Sequence, residues 1–197
     1  MAKLLASNQK LWVRLPSLAQ IYEHLIMQIF LLSDTHFNHA NIIKLGYRPH
    51  NFEELVVKHL TTMLNTGDIL IHLGDICLGH DEEVNNKLIA LTAHLHSRIL
   101  VIGNHDSKSN TWYFNHGWEF VCKSFSAKYF GKKILFSHKP QIPEDKYDIN
   151  IHGHSHGNLH RADEYCDFFD PNYHKEVCLE HSNYKPILLK TFLGGIA

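Results

Sequence analysis

Long apolar runs are missing from this chain. The richest early stretch, residues 25–32, is interrupted by Gln28 and follows Arg14, Glu23 and His24, so neither a membrane span nor the core of a signal peptide can be built there. Cysteine is scarce: Cys77, Cys122, Cys166 and Cys178 are far apart and form no C-x-x-C pair, which excludes a disulfide framework and leads us to expect a reducing, cytoplasmic setting. An excess of either charge is missing too. Lys and Arg total 19 against 20 Asp and Glu, so no global basic field draws nucleic acid or an anionic membrane. With 11 Gly, 6 Pro and no internal repeat in 197 residues, collagen-like and low-complexity readings fail as well, and the length suffices for one sizeable domain. Histidine is what the chain has in quantity. Its 18 copies are more than a core comfortably satisfies, and imidazole is the commonest metal ligand among side chains.

Short apolar runs bounded by Gly, Asp, Asn or Ser alternate with helical patterns, the rhythm of βα units and an α/β fold. Strands are expected at 28–33 (QIFLLS), 69–73 (ILIHL), 98–102 (RILVI), 133–137 (KILFS) and 148–152 (DINIH), with a hairpin around Gly131-Lys132 and further strands at 177–179 and 186–191. Asn51 and Glu54 form a capping box ahead of an apolar stripe of Leu55, Val56, His59, Leu60 and Met63. A second helix is expected over 81–95, where Val84, Leu88, Leu91 and Leu95 make a stripe that faces a core. Met27 opens the first strand, so the chain divides into an N-terminal extension, 1–26, and one domain, 27–197. Two readings of the extension stand: a segment upstream of a natural start at Met27, with a short helix over 18–26 at best, or an ordinary N-terminal helix packed on the domain.

Each strand end is followed at once by residues of metal-ligand type: Asp34-Thr35-His36, Gly74-Asp75, Gly103-Asn104-His105-Asp106, His138, and Gly153-His154-Ser155-His156. Open α/β sheets bind ligands outside the carboxyl ends of their strands, so five separate stretches are expected to converge on one place. In extended backbone, residues i and i+2 share a face, which would let Asp34 and His36 grip one ion together and His154 and His156 reach two neighbouring ions. Gly74, Gly103 and Gly153 precede ligands where a missing side chain permits sharp turns and close approach. Singly these fragments are weak. In this order, at strand ends, they are not what a core requires.

The series D-x-H, G-D, G-N-H-D, H and G-H-x-H resembles that of the calcineurin-like metallophosphoesterases, and DTHFNHANII, YRPHNFEE, HLGDI and NYKPI are similar to the small phosphoesterases of bacteria and phages. The likeness runs from Met27 to about Thr191. It implies a four-layer α-β-β-α sandwich with a dinuclear site at the strand C-terminal ends. Asp34, His36, Asp75 and His156 would hold one metal, Asp75, Asn104, His138 and His154 the other, with Asp75 as the bridge. His105 would be the general acid, and Asp106 would orient its imidazole. Such a set of four His, two Asp and one Asn suits two divalent cations, manganese first, with iron or zinc as alternatives. Cations roughly 3.5–4 Å apart can acidify a bridging water and clamp an in-line displacement, the chemistry of phosphate-ester hydrolysis.

Asn38, His39 and Asn41 follow the first ligand pair, and Tyr47-Arg48 precedes the capped helix, so these are expected to line the substrate cleft, with Arg48 as the phosphate contact and His39 beside it. His152 fits a supporting or core role better than a ligand role. The stretch 158–176 reads as a lid or loop, in which Tyr165, Phe168, Phe169 and Tyr173 stack on a base or pin the loop itself. A zinc site from Cys166, His174, Cys178 and His181 is a minor alternative.

The expected activity is a dinuclear-metal phosphohydrolase acting on mono- or diesters of small molecules or nucleotides. A nuclease or nucleic-acid processing phosphodiesterase is the alternative, and a non-catalytic metal-binding scaffold comes third, disfavoured because every ligand and His105 are present. Gly74-Asp75 continues as Ile76-Cys77-Leu78-Gly79, without the arginine found there in the protein serine/threonine phosphatases of this superfamily, which argues against that activity.

Overall fold

The computed structural model describes residues 27–44, 48–157, 165 and 167–194. The extension 1–26, Tyr47, Cys166 and the first part of the expected lid, 158–164, lie outside the described residues. Strands β1 (Ile29–Leu32), β2 (Ile69–His72), β3 (Ser97–Val101), β4 (Phe120–Cys122) and β9 (Ile187–Leu188) form a five-stranded sheet in the order β4-β3-β2-β1-β9. All neighbours in it are parallel except β9, which runs antiparallel to β1. A second sheet has the order β5-β6-β7-β8, from β5 (Ser124–Tyr129), β6 (Lys132–Ser137), β7 (Ile149–His152) and β8 (His174–Glu176). Here β5 and β6 make the expected hairpin, and β6, β7 and β8 are parallel. The helices are α1 (Ala40–Lys44), α2 (Phe52–Met63), α3 (Asp81–Leu91), α4 (Asn110–Asn115) and α5 (Leu189–Gly194).

The strands of the first sheet are apolar on both sides because both faces are covered. Parallel crossovers share one hand, and the order β1-β2-β3-β4 advances in one direction, so the intervening helices fall on one face. There Phe30, Leu32, Leu70 and Leu100 pack with Val56 and Leu60 of α2 and Val84 and Leu88 of α3. From the opposite face Leu31, Ile71, Leu73 and Val101 meet Ile134, Phe136, Ile149 and Ile151 of the second sheet. Among the described residues the layers are thus helix, sheet, sheet, three of the expected four.

On the outer face of the second sheet no helix lies among the described residues. Its cover is loop. Asn150 of β7 accepts the N–H of Gln141 at 2.9 Å, His174 lies 2.8 Å from the Gln141 carbonyl, and Phe169 stacks on His174 at 4.8 Å. Tyr165, Phe168 and Tyr173 cluster around that pair, the loop-pinning role foreseen for these aromatics.

Local expectations change where tertiary bonds compete. Asn51 stands at the N-cap of α2, but its side chain makes no capping bond, and the neighbouring Glu53 instead accepts the N–H of Asn38 at 2.8 Å. Helix α3 stops at Leu91, four residues short of the expected end, with the buried Thr92 as its C-cap at φ −109° and ψ 14°. Residues 177–179 are not a strand: β8 lies just before them, and 186–191 divides between β9 and α5. One buried polar pair secures the helix side. The Trp118 indole N–H donates at 2.7 Å to Asn85 Oδ1, and Asn85 Nδ2 donates to the His116 carbonyl, with both residues essentially inaccessible. Asn85→Ala strands that indole donor, so urea unfolding should show a loss of about 1–3 kcal/mol. A loss below about 0.5 kcal/mol would mean that the indole finds another acceptor.

Candidate metal centre

Beyond the strand ends, β1 and β2 stay joined: the N–H groups of Asp34, His36 and Phe37 donate to the carbonyls of Gly74, Asp75 and Ile76 at 2.9, 3.0 and 3.0 Å. The second sheet is tied in at the same level, since Asp34 Oδ2 accepts the Ser33 hydroxyl and the N–H of His154. The backbone that brings the ligands together is not extended, as the i, i+2 spacing had implied. Asp34, His36, Asp75, His154 and His156 all have positive φ, from 45° to 73°. That left-handed conformation costs roughly 1–2 kcal/mol for a residue with a Cβ. It turns each side chain inward.

Close approach explains two of the glycines. A Cβ on Gly103 would stand 2.2 Å from Asp75 Oδ1, and one on Gly153 would stand 1.9 Å from Ser33 Oγ and 2.3 Å from Asp34 Oδ2. Gly153→Ala should therefore displace the Asp34 carboxylate. We expect a folded protein with divalent-cation affinity lowered at least about 10-fold, as read by calorimetric titration; unchanged affinity would show that the loop yields elsewhere.

The side chains form two groups, Asp34 with His36 and His156, and Asp75 with His138 and His154. In the first, Nε2 of His36 and Nε2 of His156 are 3.1 Å apart and lie 3.8 and 3.6 Å from Asp34 Oδ1. In the second, His138 Nε2 lies 3.3 Å from Asp75 Oδ2, 3.2 Å from His154 Nδ1 and 3.0 Å from Asn104 Oδ1. Asp75 Oδ2 is also 3.5 Å from His36 Nε2, so this one oxygen touches both groups. Ligand atoms about 2.0–2.1 Å from a common ion stand about 3.0–3.4 Å apart at octahedral or tetrahedral angles, close to these separations.

The donors fit a cation. His138 Nδ1 is 2.8 Å from the Leu73 carbonyl, to which it must donate, so Nε2 is the nitrogen that faces Asp75 and Asn104; against the effect of burial, the neighbouring carboxylates push the pKa of this imidazole up, and a cation would take the place of its Nε2 proton. Asp34 Oδ1 is buried and has no hydrogen-bond partner. A buried carboxylate oxygen without a donor is costly, and a cation removes that cost. Burial pushes the Asp34 and Asp75 carboxyls up, but the surrounding imidazoles, His36 above all for Asp34 and His138 for Asp75, overcome this and hold both below the usual range.

Over these groups stands His105, half-exposed, its N–H on Asp75 Oδ1 at 2.8 Å and its Nε2 4.0 Å from Asp75 Oδ2. The His39 ring lies 5.2 Å from that of His36 and 6.3 Å from that of His105. Asn38 and Asn41 are exposed beside them. Two expected roles are corrected. Asp106 does not reach the His105 ring: its carboxylate is filled by the N–H groups of Gly103, Asp75 and Ile76 at 2.7, 3.0 and 2.9 Å, a staple between the second and third loops. Arg48 is enclosed rather than open to a substrate phosphate. Its guanidinium pairs with Glu180 at 2.7 Å and donates to the carbonyls of Thr35 and Asp34 at 3.1 and 2.8 Å.

Two supporting residues escape sequence reading. Glu180 Oε1 is 3.2 Å from His156 Nδ1, and burial raises its carboxyl less than His156 and Arg48 lower it, to about 2. His72, pushed down to about 3 by burial, accepts the Gly74 N–H on Nδ1 and meets Thr35 Oγ1 through Nε2 at 3.1 Å. His152 is buried outside both groups, with Nδ1 2.9 Å from the Gly153 carbonyl. The minor zinc set is not assembled among the described residues: His174 is engaged by Asp170 and Gln141, and the Cys178 thiol donates to Glu180.

No known protein-family profile matches the chain. It is 36% identical over 173 residues to the uncharacterized protein MJ1445 of Methanocaldococcus jannaschii, covering 82% of this chain and 87% of that one. It superposes on a protein of unknown function from Aquifex aeolicus, AQ665, with a TM-score of 0.66 at 26% identity, over 86% of this chain and 99% of that one. A looser superposition, TM-score 0.44 at 21% identity, covers 65% of this chain and 61% of the Pseudomonas putida nuclease MPE.

Proposed function

This chain belongs to one family with the uncharacterized protein MJ1445 of Methanocaldococcus jannaschii, and we propose that it is a metal-dependent phosphoesterase of calcineurin-like fold, cleaving phosphate mono- or diesters of small molecules or nucleotides. The observation that carries this reading is the meeting of two buried His/Asp groups at one carboxylate oxygen of Asp75. Asp34, His36 and His156 would hold one divalent cation, and Asn104, His138 and His154 the other, with Asp75 shared. Manganese is the first choice for this mixed nitrogen and oxygen set. Bound there, a cation pair supplies Lewis acidity toward the phosphoryl oxygens and lowers the pKa of water.

The chain's own groups do the rest. His105, at the mouth and half-exposed, holds a proton on Nε2 for the departing ester oxygen. His39 borders the same opening and orients the ester beside it. Arg48 acts behind the first group, so among the chain's own side chains phosphate contact falls to the imidazoles at the mouth, His39 and His105. The test is turnover with manganese of a panel comprising a nitrophenyl diester, nucleotide monoesters, cyclic nucleotides and single-stranded DNA. Chelator should abolish it. No turnover of any member with manganese, iron or zinc would overturn the proposal.

A further inference from the structure

The two cation groups are supported differently from behind. His138 donates its Nδ1 proton to a neutral backbone carbonyl, that of Leu73. His156 instead turns Nδ1 toward a carboxylate, Glu180, at 3.2 Å. Glu180 is itself fixed: Oε1 accepts from Arg48 Nε at 2.7 Å and Oε2 from the Cys178 thiol at 3.2 Å. Arg48 Nη2 also lies 3.3 Å from His156 Nδ1 and gives one of its two hydrogens to the Asp34 carbonyl at 2.8 Å; a cation on Nε2 would require the imidazole hydrogen to sit on Nδ1, where it needs an acceptor. A guanidinium cannot accept a proton, so only Glu180 can draw the imidazole hydrogen onto Nδ1 and leave Nε2 bare toward Asp34 and His36. Formal charge adds to this asymmetry, since the first group contains Asp34 besides the shared Asp75, whereas the second contains the neutral Asn104.

We infer that Glu180, clamped by Arg48, is a positioning residue that sets the tautomer and ring orientation of His156 and makes the Asp34–His36–His156 group the tighter of the two cation sites. This rests on the metal-dependent reading above, whose own failure would appear as wild-type protein that binds no divalent cation. A carboxylate behind a ligating imidazole is typically worth about 10–100-fold in metal affinity.

Calorimetric titration of chelator-stripped protein with manganese reads this directly. Wild type should show two steps of different affinity. Glu180→Gln should weaken the tighter step about 10–100-fold and leave the looser one within about twofold. In a His156→Ala background the tight step is already weakened, and adding Glu180→Gln should change it no further, because coupled residues are not additive. Two equal steps in wild type, an unshifted tight step, a shift of the looser step, or an undiminished effect in the His156→Ala background would each overturn the inference. Should Glu180→Gln not fold, Glu180→Asp keeps the charge beside Arg48 while falling short of His156. It should weaken the same step, and an unchanged step in that variant would equally overturn the assignment.

Discussion

Asp75→Asn is expected to abolish measurable turnover and to lower the occupancy of both metal sites. The substitution is clean in every other respect. Asn adopts left-handed backbone nearly as readily as Asp, so the φ of 57° at this position is kept. The amide oxygen can still accept the His105 N–H that Asp75 Oδ1 accepts at 2.8 Å. What disappears is the negative charge at Oδ2, 3.5 Å from His36 Nε2 and 3.3 Å from His138 Nε2. Residues behind metal ligands are worth about 10–100-fold, so loss of a shared ligand should exceed about 100-fold. Because a cation that binds the native state adds its binding free energy to stability, the wild-type melting temperature should fall when chelator is added, and that of Asp75→Asn should respond much less. Elemental analysis showing two full equivalents of metal in the variant would remove the bridge.

His105→Asn should retain both metals yet lose on the order of 10²-fold or more in rate on an alkyl or nucleoside ester. On a nitrophenyl ester the loss should be markedly smaller. A departing alkoxide needs a proton, whereas a nitrophenolate scarcely does, so the benefit of a general acid scales with the leaving group. The position agrees with this role, for His105 is half-exposed while its main-chain N–H anchors it to Asp75. Asp106 gives a built-in contrast. Its carboxylate binds three backbone N–H groups, so Asp106 substitutions should disturb the loops and lack any leaving-group dependence. An equal loss on both esters with metals intact would assign His105 to charge stabilisation, and loss of metal would make it a ligand.

The strands and the convergence of the candidate ligands were legible because each is a local pattern: an apolar run, then Gly, Asp or His at its end. IFLL leads to Asp34 and ILIH to Asp75, and the structure brings those ends together as parallel sheets require. Arg48 and Glu180 could not be paired from sequence, being 132 residues apart, with neither in a motif that states its partner. Arg48 looked like a phosphate contact because guanidinium suits phosphate; carboxylate suits it equally well. Asp106 was misread for a related reason. Proximity in sequence to His105 implied a side-chain contact, whereas the orphan N–H groups of tight turns competed for its oxygens and won. The capping box at Asn51 and Glu54 is a purely local pattern as well, and the Asn51 side chain makes no capping bond.

The left-handed backbone of the ligand loops narrows which amino acids can occupy them. Outside glycine, the residues most tolerant of positive φ are Asn, Asp and His, and these also carry oxygen or imidazole donors for hard and borderline cations. At Asp34, His36, Asp75, His154 and His156 one side chain therefore satisfies a conformational demand and a chemical one together. Glutamate offers the same carboxylate as aspartate but fits the backbone less well and reaches one methylene too far; glycine fits the backbone and offers nothing to an ion. The vocabulary of such a loop is thus only three letters long, which is why a site assembled from distant stretches can still be spelled out so plainly in one sequence.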